Sequence, residues 1–357
     1  MKILSLFDGS ACTRVALDRL GIPVTKYYAS EIDKYAIKVA MANYPDIAQL
    51  GDVKNVGIAF KEGDIDLLVG GSPCQGFSFA GKQLNFDDPR SKLFWEYVRV
   101  LRKLKPKYFL LENVRMKQEY QDVISDALGV QPIAINSRLM SAQNRQRLYW
   151  TNIPNVTQPD DKGIVLQDIL EDGFVDRDKS HCLDANYFKG GNLKSYFEKH
   201  RRQLVFSKDG LCHVGDADIN GNDTIKRVYH PEGKAPTLTT MGGGHREPKI
   251  LCGAWRGRYT VDGVRQDHKH KVAGMTTQRL EVRTDGKTNS LTTVQKDNVA
   301  VDISELQWRK LTPLECERLQ TLPDNYTNHV SNTQRYKMLG NGFTVDVIAH
   351  ILKGVEV

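Results

Sequence analysis

Apolar and polar positions follow two rhythms over roughly the first 155 residues. Short runs rich in Ile, Leu, Val and Phe, bounded by Gly, Pro or acidic residues, read as strands. Longer stretches with apolar residues three or four apart read as helices. Ile3–Phe7 is the first run and closes on Asp8-Gly9. Cys12–Leu20 follows as a helix, with Val15, Leu17 and Leu20 on its apolar side and Gly21 as its stop. Thr25–Ser30 predicts a strand ending at Glu31, and Asp33–Asn43 a helix closed by Tyr44-Pro45. Leu67–Val69 predicts a strand, Ser91–Leu104 a long amphipathic helix, and Lys107–Leu111 a strand that runs into Glu112-Asn113. This alternation marks βαβ units, so an α/β fold with a doubly wound, mostly parallel sheet is expected. Ile133–Leu139 and Leu148–Ile153 predict an antiparallel pair at one edge.

The texture changes near residue 160. Helical periodicity fades, Gly, Thr and Asn become frequent, and seven of the nine His lie between Gly163 and Glu305. Two similar fragments, Pro236–Thr240 and Asn289–Thr293, predict paired strand elements too short to be a repeat. The boundaries expected are 1–160 for the α/β domain, 161–305 for a smaller β- and loop-rich domain, and 306–357 for a returning segment. Within that segment Thr312-Pro313-Leu314-Glu315 is a helix start with Pro at the first position, and Val345–Leu352 is an apolar helix.

Composition narrows the classes little. The chain has 357 residues, 26% of them charged, and a formal net charge of +7. The mild basic excess suits a polyanionic partner and equally a solvated basic surface. No apolar run approaches membrane-spanning length, no signal peptide is expected before the opening strand, and no membrane partner is expected. The six cysteines (12, 74, 182, 212, 252 and 316) include no C-x-x-C pair, so neither a zinc knuckle nor a disulfide framework is expected. The His268-Lys269-His270 group lacks metal-ligand companions at useful spacing and reads as a polar loop; no metal is expected.

Chemistry concentrates at the predicted strand ends, where open α/β sheets bind ligands. Phe7-Asp8-Gly9 is a turn that lets backbone approach a ligand. Glu31, about twenty residues on, is where an acid typically takes ribose hydroxyls. Pro73-Cys74-Gln75-Gly76 follows the apolar run Leu67–Gly71. A free cysteine is usually a small buried hydrophobe, but one in a strand-end loop between Pro and Gln points to a nucleophile. Glu112 ends an apolar strand; alone it would more often be a helix cap. Gln143-Asn144-Arg145-Gln146-Arg147 alternates at strand period, which places Gln143, Arg145 and Arg147 on one face. The plain reading of those arginines is a solvated edge strand.

In this order the five features resemble the DNA cytosine C5-methyltransferases. The likeness covers residues 1–157 and 306–357. It extends through Gly76–Gln83, Asp87-Asp88-Pro89-Arg90-Ser91 and Arg309–Glu315 to Leu339-Gly340-Asn341-Gly342, and looks closest to phage and bacterial members and the animal de novo branch. It implies the class I S-adenosylmethionine-dependent methyltransferase fold, with the middle domain in the place of the target-recognition domain. It also implies methyl transfer to C5 of a cytosine flipped out of a specific duplex DNA sequence. A thiolate adding at C6 makes C5 nucleophilic. By resemblance Cys74 is that nucleophile, Glu112 relieves charge at N3 in its protonated form, Arg147 contacts base O2 and Arg145 orders the catalytic loop. Asn113 orients nearby backbone.

The donor implied is S-adenosylmethionine, with S-adenosylhomocysteine as product. Phe7, Asp8, Gly9, Glu31, Ile32, Asp52, Val53, Pro73, Asn341 and Gly342 are its expected contacts, Glu31 on the ribose and Asp52 on the adenine amino group. For DNA the candidates are Gln75, Ser78, Lys82 and Arg90 in a mobile loop spanning Gly76–Arg90. Arg246, Arg256 and Arg258 are the candidates in the middle domain. The expected state is a monomer in the cytoplasm of a bacterial or phage-infected cell, with a cognate restriction endonuclease as a candidate partner. The chain departs from the family at Ala11 and Thr13, where a second Gly is usual, and at Ser10, where an apolar residue is more usual, which leaves a modified adenosyl donor as an alternative. Three other readings stand beside this one. Transfer RNA methylation lacks its Cys-Phe-Thr signature here. An inactive DNA-binding regulator would not need Cys74, Glu112 and Arg147. A nucleotide oxidoreductase leaves Pro73-Cys74-Gln75 unexplained.

Overall fold

The computed structural model describes residues 1–56, 60–72, 92–191, 193, 196, 199, 201–206 and 308–356, together with strands between residues 213 and 299. Pro73, Cys74, Gln75, Ser78, Lys82, Arg90 and Arg246 lie outside the described residues, as do Pro236–Thr240, His268–His270 and Asn289–Thr293.

The chain divides into two compact units, the first made of Met1–Ile169, Lys179–Gly190 and Leu311–Val357. Its centre is a seven-stranded sheet. In chain order the elements are β1 (Lys2–Leu6), α1 (Cys12–Arg19), β2 (Lys26–Ser30), α2 (Lys34–Asn43) and β3 (Ala48–Gln49). Then come β4 (Leu67–Gly70), α3 (Lys92–Leu104), β5 (Tyr108–Val114), α4 (Gln118–Leu128), β6 (Ile133–Asn136) and β7 (Gln146–Thr151). The strand order is β3-β2-β1-β4-β5-β7-β6. β1 through β5 run parallel, and β7 is antiparallel to both β5 and β6. The order reverses between β1 and β4, which opens a crevice at their carboxyl ends. The doubly wound sheet expected from the alternation of runs is therefore present.

β4 is buried along its whole length, as a central parallel strand requires. The core on one face joins Leu4, Leu6, Leu68, Leu111 and Trp150 of the sheet to Phe94, Tyr97 and Val98 of α3 and Ile124 of α4. The indole N–H of Trp150 donates to Ser125 Oγ at 3.0 Å and ties α4 to the sheet. α4 lacked a place in the sequence reading. Its buried apolar stripe is narrow, Tyr120, Ile124 and Leu128, one residue per turn, with Ser125 buried beside it, and Gly129 ends it in the left-handed conformation.

The edge pair is antiparallel as predicted, with its first strand shorter and its second two residues earlier in the chain. β6 stops at Asn136, whose side chain accepts from Arg138 N at 3.1 Å and turns the chain into a 3-10 helix over Ser137–Leu139. β7 begins at Gln146, so Gln143 and Arg145 precede the strand and the strand-period argument for them fails. Nor is the segment a solvated edge, since Gln143 is fully buried and Arg145 nearly so.

Three C-terminal helices complete this unit: α5 (Pro313–Leu319), α6 (Asn332–Asn341) and α7 (Val345–Leu352). α5 opens with the Pro at its first turn and a reciprocal capping box between Thr312 and Glu315. α7 is buried at six of its eight positions and packs on α1.

The second unit comprises Leu170–Asp178 and Gly191–Lys310. β8 (Leu204–Phe206) pairs with β16 (Trp308–Lys310), and Phe174 bridges to Phe206. Two ribbons are formed by β9 (His213–Asp216) with β10 (Arg227–Tyr229), and by β12 (Thr260–Val261) with β13 (Val264–Arg265). β11 (Gly253–Arg258) sits between β14 (Thr277–Val282) and β15 (Asn298–Val299), antiparallel to both, and carries positions 256 and 258. Lys179–Gly190, which the sequence boundary placed in the middle domain, belongs to the first unit.

Candidate active site

The carboxyl ends of the parallel strands open on a cavity of about 910 Å³. Three turns build one end of it. After β1 the backbone enters the left-handed region at Phe7 (φ 57), Gly9 (φ 62) and Ala11 (φ 63), alternate residues of a single turn. Only the glycine adopts that region without strain; Phe7 and Ala11 are held there by their surroundings. After β2, Glu31 reaches back across the crevice. Its Oε2 accepts from Gly9 N at 2.8 Å, and its Oε1 from Ile32 N and Asp33 N at 2.7 and 2.8 Å. After β3, Asp52 caps a short 3-10 turn by accepting from Lys54 N at 3.0 Å. Arg99 of α3 braces that turn from outside, donating to the carbonyls of Val53 and Val56, each at 3.1 Å.

Asp8 lies beneath these turns. The Tyr27 hydroxyl donates to its Oδ1 at 2.7 Å. Burial pushes the Asp8 carboxyl up to about 7, with the nearby Glu31 charge adding to the shift and hydrogen bonding opposing it. Burial also pushes the Cys12 thiol, on the cavity wall, up to about 11.

The other end is built by β5 and β7. Arg147 is paired with Val114 across the strands, so Glu112 is its diagonal neighbour on the same face. Their side chains meet with Arg147 Nε 3.0 Å from Glu112 Oε1, both largely buried. Burial works against the Arg147 charge, but Glu112 outweighs it and holds the guanidinium pKa above its ordinary value. Asn113 Nδ2 donates to Ser72 Oγ at 3.1 Å, which fixes the backbone where β4 leaves the sheet toward position 73. The approach is tight there. A Cβ on Gly71 would lie 2.8 Å from the Phe343 ring and 3.4 Å from Glu112 Oε2.

Arg145 points under the turn that follows α6. It donates to the carbonyls of Gly340 (3.2 Å), Gly342 (3.0 Å) and Leu183 (3.1 Å). Cys182 sits between the arginines, its Sγ 3.5 Å from Arg145 Nη1 and 3.8 Å from Arg147 Nη2. Burial would raise this thiol, yet the two guanidiniums prevail and lower it.

The cavity thus gathers Phe7, Asp8, Gly9, Glu31, Ile32, Asp52 and Val53 from one side. Glu112, Arg145, Arg147, Asn341 and Gly342 come from the other. Arg256 and Arg258, on β11, belong to the second unit. Sequence reasoning passed over Cys182 and Lys337. Lys337 also lines the cavity and bonds Asp33 across it at 2.8 Å. Burial opposes the Asp33 charge, but Lys337 outweighs it and holds the carboxyl below its usual range. Lys337 stands one helical turn before Asn341, a spacing that could have flagged it. Cys182 had no such signal. Among the described residues no group of three or more His, Cys, Asp or Glu is placed to hold a metal ion. Among them, too, no helix is long and apolar enough to cross a membrane.

The family model described as C-5 cytosine-specific DNA methylase matches residues 1–356. The chain is 27% identical to the orphan methyltransferase M.Rho11sI of Bacillus phage rho11s, over 99% of this chain and 97% of that protein. It is 28% identical to the type II methyltransferase M.BanI of Aneurinibacillus aneurinilyticus, over 99% and 95% of the two chains. Two solved structures share its fold. A putative DNA modification methyltransferase from an E. coli prophage matches with TM-score 0.53 at 20% identity, over 99% of this chain and 98% of that one. A variant of Spodoptera frugiperda DNMT2 matches with TM-score 0.54 at 18% identity, over the same shares. A reversing parallel sheet, a cavity at its carboxyl edge and a family match along almost the whole chain lead to one conclusion: this protein belongs to the C-5 cytosine-specific DNA methylases and is a DNA methyltransferase.

Proposed function

We propose that the enzyme methylates C5 of a cytosine flipped out of a specific duplex sequence, with Cys74 bonded transiently to C6 and S-adenosylmethionine as donor. The Glu112–Arg147 pair carries this reading. Two opposite charges at 3.0 Å in a water-poor recess match the two edges of cytosine that must be gripped, O2 by a cation and N3 by a protonated acid. With base O2 held by Arg147, Glu112 in its protonated form faces N3 and gives its proton to that nitrogen as the Cys74 thiolate adds to C6, so C5 becomes the nucleophile. C5 takes the methyl group, and loss of the C5 proton to water then expels the Cys74 thiolate. Asn113 holds Ser72, and through it the exit from β4 toward Cys74.

The residues at the other end fit an adenosyl donor. Ile32 is 76% exposed, an apolar surface that an adenine face would cover. A Cβ on Gly9 would meet nothing within 4 Å, so the turn leaves open space above it. Glu31 and Asp52 supply carboxylate acceptors, and Asn341-Gly342 closes the far wall. When bound, the donor supplies an electrophilic methyl group. The second unit would read the sequence, with Arg256 and Arg258 on β11 and Arg246 as candidates. Gln75, Ser78, Lys82 and Arg90 would hold the DNA backbone around the flipped base.

The test is a duplex carrying 5-fluorocytosine, incubated with S-adenosylmethionine and resolved under denaturing conditions. A covalent protein–DNA species that needs both the donor and Cys74, and is lost in Cys74→Ser, is expected. Undiminished methylation of ordinary DNA by Cys74→Ser would overturn the reading.

A further inference from the structure

We infer that Arg145 is a positioning residue for the donor-binding turn: its buried guanidinium fixes the backbone on both sides of Asn341 before any ligand arrives. This rests on the proposal that the donor lies against Asn341-Gly342.

Three backbone carbonyls and one sulfur engage both Nη atoms of Arg145, while its buried Nε makes no hydrogen bond. Arg145 is 3% exposed, and its side-chain contacts are carbonyl oxygens and one sulfur rather than a carboxylate. Two of those carbonyls, Gly340 and Gly342, flank Asn341, and the third, Leu183, belongs to the segment that Gly340 packs against. A Cβ on Gly340 would lie 2.3 Å from the Asp184 backbone, so turn and segment are in direct backbone contact. A second buried side chain grips the same turn. Gln320, fully buried at the end of α5, donates through Nε2 to Leu339 O at 2.6 Å, and its Oε1 accepts from Thr344 Oγ1 at 2.9 Å. Buried polar side chains therefore hold the chain from 339 to 344, Arg145 and Gln320 as donors to its carbonyls and Gln320 Oε1 as acceptor from Thr344.

Holding a guanidinium inside a protein is costly, and carbonyl dipoles offset that cost through the N–H groups aimed at them. Arginine's rigid fork can span three carbonyls; a lysine ammonium can reach one or two. The consequence for the donor is arithmetic. If the turn is competent only a fraction of the time, apparent affinity falls by that fraction. Losing one or two charge-assisted hydrogen bonds shifts such an equilibrium roughly tenfold to a hundredfold. Arg145 also touches Cys182, which touches Arg147, so the donor turn and the base end share one hydrogen-bonded frame.

The experiment measures S-adenosylhomocysteine binding by calorimetry, without DNA, for the wild-type enzyme, Arg145→Gln and Arg145→Lys, with melting temperature alongside. Affinity roughly tenfold or more weaker in Arg145→Gln, partly restored in Arg145→Lys, and with duplex DNA affinity unchanged, is the expected result. Equal S-adenosylhomocysteine affinity in all three would overturn the inference and return Arg145 to the loop-ordering role. No binding by the wild-type enzyme would instead sink the donor assignment itself. Should the variants fail to fold, hydrogen exchange on the unaltered protein decides. Amides of 340–343 protected before ligand is added support the inference; fast exchange that slows only on binding overturns it.

Discussion

Asp8 gives the sharpest quantitative test of the site's electrostatics. Its carboxyl sits under the β1 turn with a pKa moved from 3.8 to about 7, chiefly by burial. Between those values the folded protein keeps a proton that the unfolded chain releases. Stability then falls as pH rises, because the folded state binds more protons. The Asp8 contribution is fully favourable below about pH 4, declines through the window from 4 to 7, and is a constant penalty above it. A shift of about 3 units corresponds to roughly 4 kcal/mol across that window, with a steepest slope of about 1.4 kcal/mol per pH unit. Asp8→Asn keeps an acceptor for the Tyr27 hydroxyl and removes the titration. It also places an amide N–H2 where an oxygen was, at a cost of about 1–3 kcal/mol if unpaired, but that cost does not vary with pH. The slope, not the offset, is therefore diagnostic. Urea denaturation of both proteins from pH 4.5 to 8.5 gives the difference in unfolding free energy with other titrating groups cancelled. The variant should gain on the wild type as pH rises to 7 and then run parallel to it. A difference flat across the range would refute the shifted carboxyl.

Three further outcomes follow from single contacts. Ala11→Gly relieves a left-handed alanine worth about 1–2 kcal/mol but gives back about 0.4–1 in unfolded-state entropy and about 0.8 for the fully buried methyl group. A net change in chemical stability within about 1 kcal/mol of zero is expected, and a loss clearly above about 1 kcal/mol would refute the strain. Arg335→Met leaves Glu317, fully buried and 3.0 Å from the Arg335 guanidinium, without its counter-charge. Destabilisation of about 3–5 kcal/mol is expected, and a melting temperature within 2 degrees or so of wild type would contradict it. Thr312→Ala opens the capping box of α5 and should lower unfolding free energy by about 1 kcal/mol with the denaturant slope unchanged.

The centre of the sheet was legible because β1, β4 and β5 are largely buried and read as nearly unbroken apolar runs between turn residues, whereas the edge strand β3, two half-buried residues, gave no such run. Leu67–Gly70 needs no tertiary information to be recognised. Edges and helices on the sheet's flank were harder. α4 buries one apolar residue per turn, too narrow a stripe to rise above the surrounding polar residues. The end of β6 depends on one side chain, Asn136, capping a turn that local propensity alone does not announce. The returning C-terminal helices were half visible. The Pro and the Thr–Glu pair mark the start of α5, whereas α6, with its polar and glycine-containing sequence, is specified by what it packs against.

The site divides along the same physical line. Carboxylates at strand ends could be found, since strand periodicity places them and their chemistry is written in the residue type. Glu31 and Glu112 are of this kind, and both line the cavity. Arg145 is the opposite case. Its position in an alternating segment suggested a strand face, yet it precedes β7 and owes its place to the carbonyls of Leu183, Gly340 and Gly342. Every residue type carries a carbonyl, so no sequence pattern distinguishes the ones that will face a guanidinium. Cys182 is intermediate: the residue is visible, but the two arginines that lower its thiol arrive from positions 145 and 147 only through the fold. A charged side chain satisfied by backbone is silent in a sequence, and its function must be read from what that backbone carries, here the turn at Asn341.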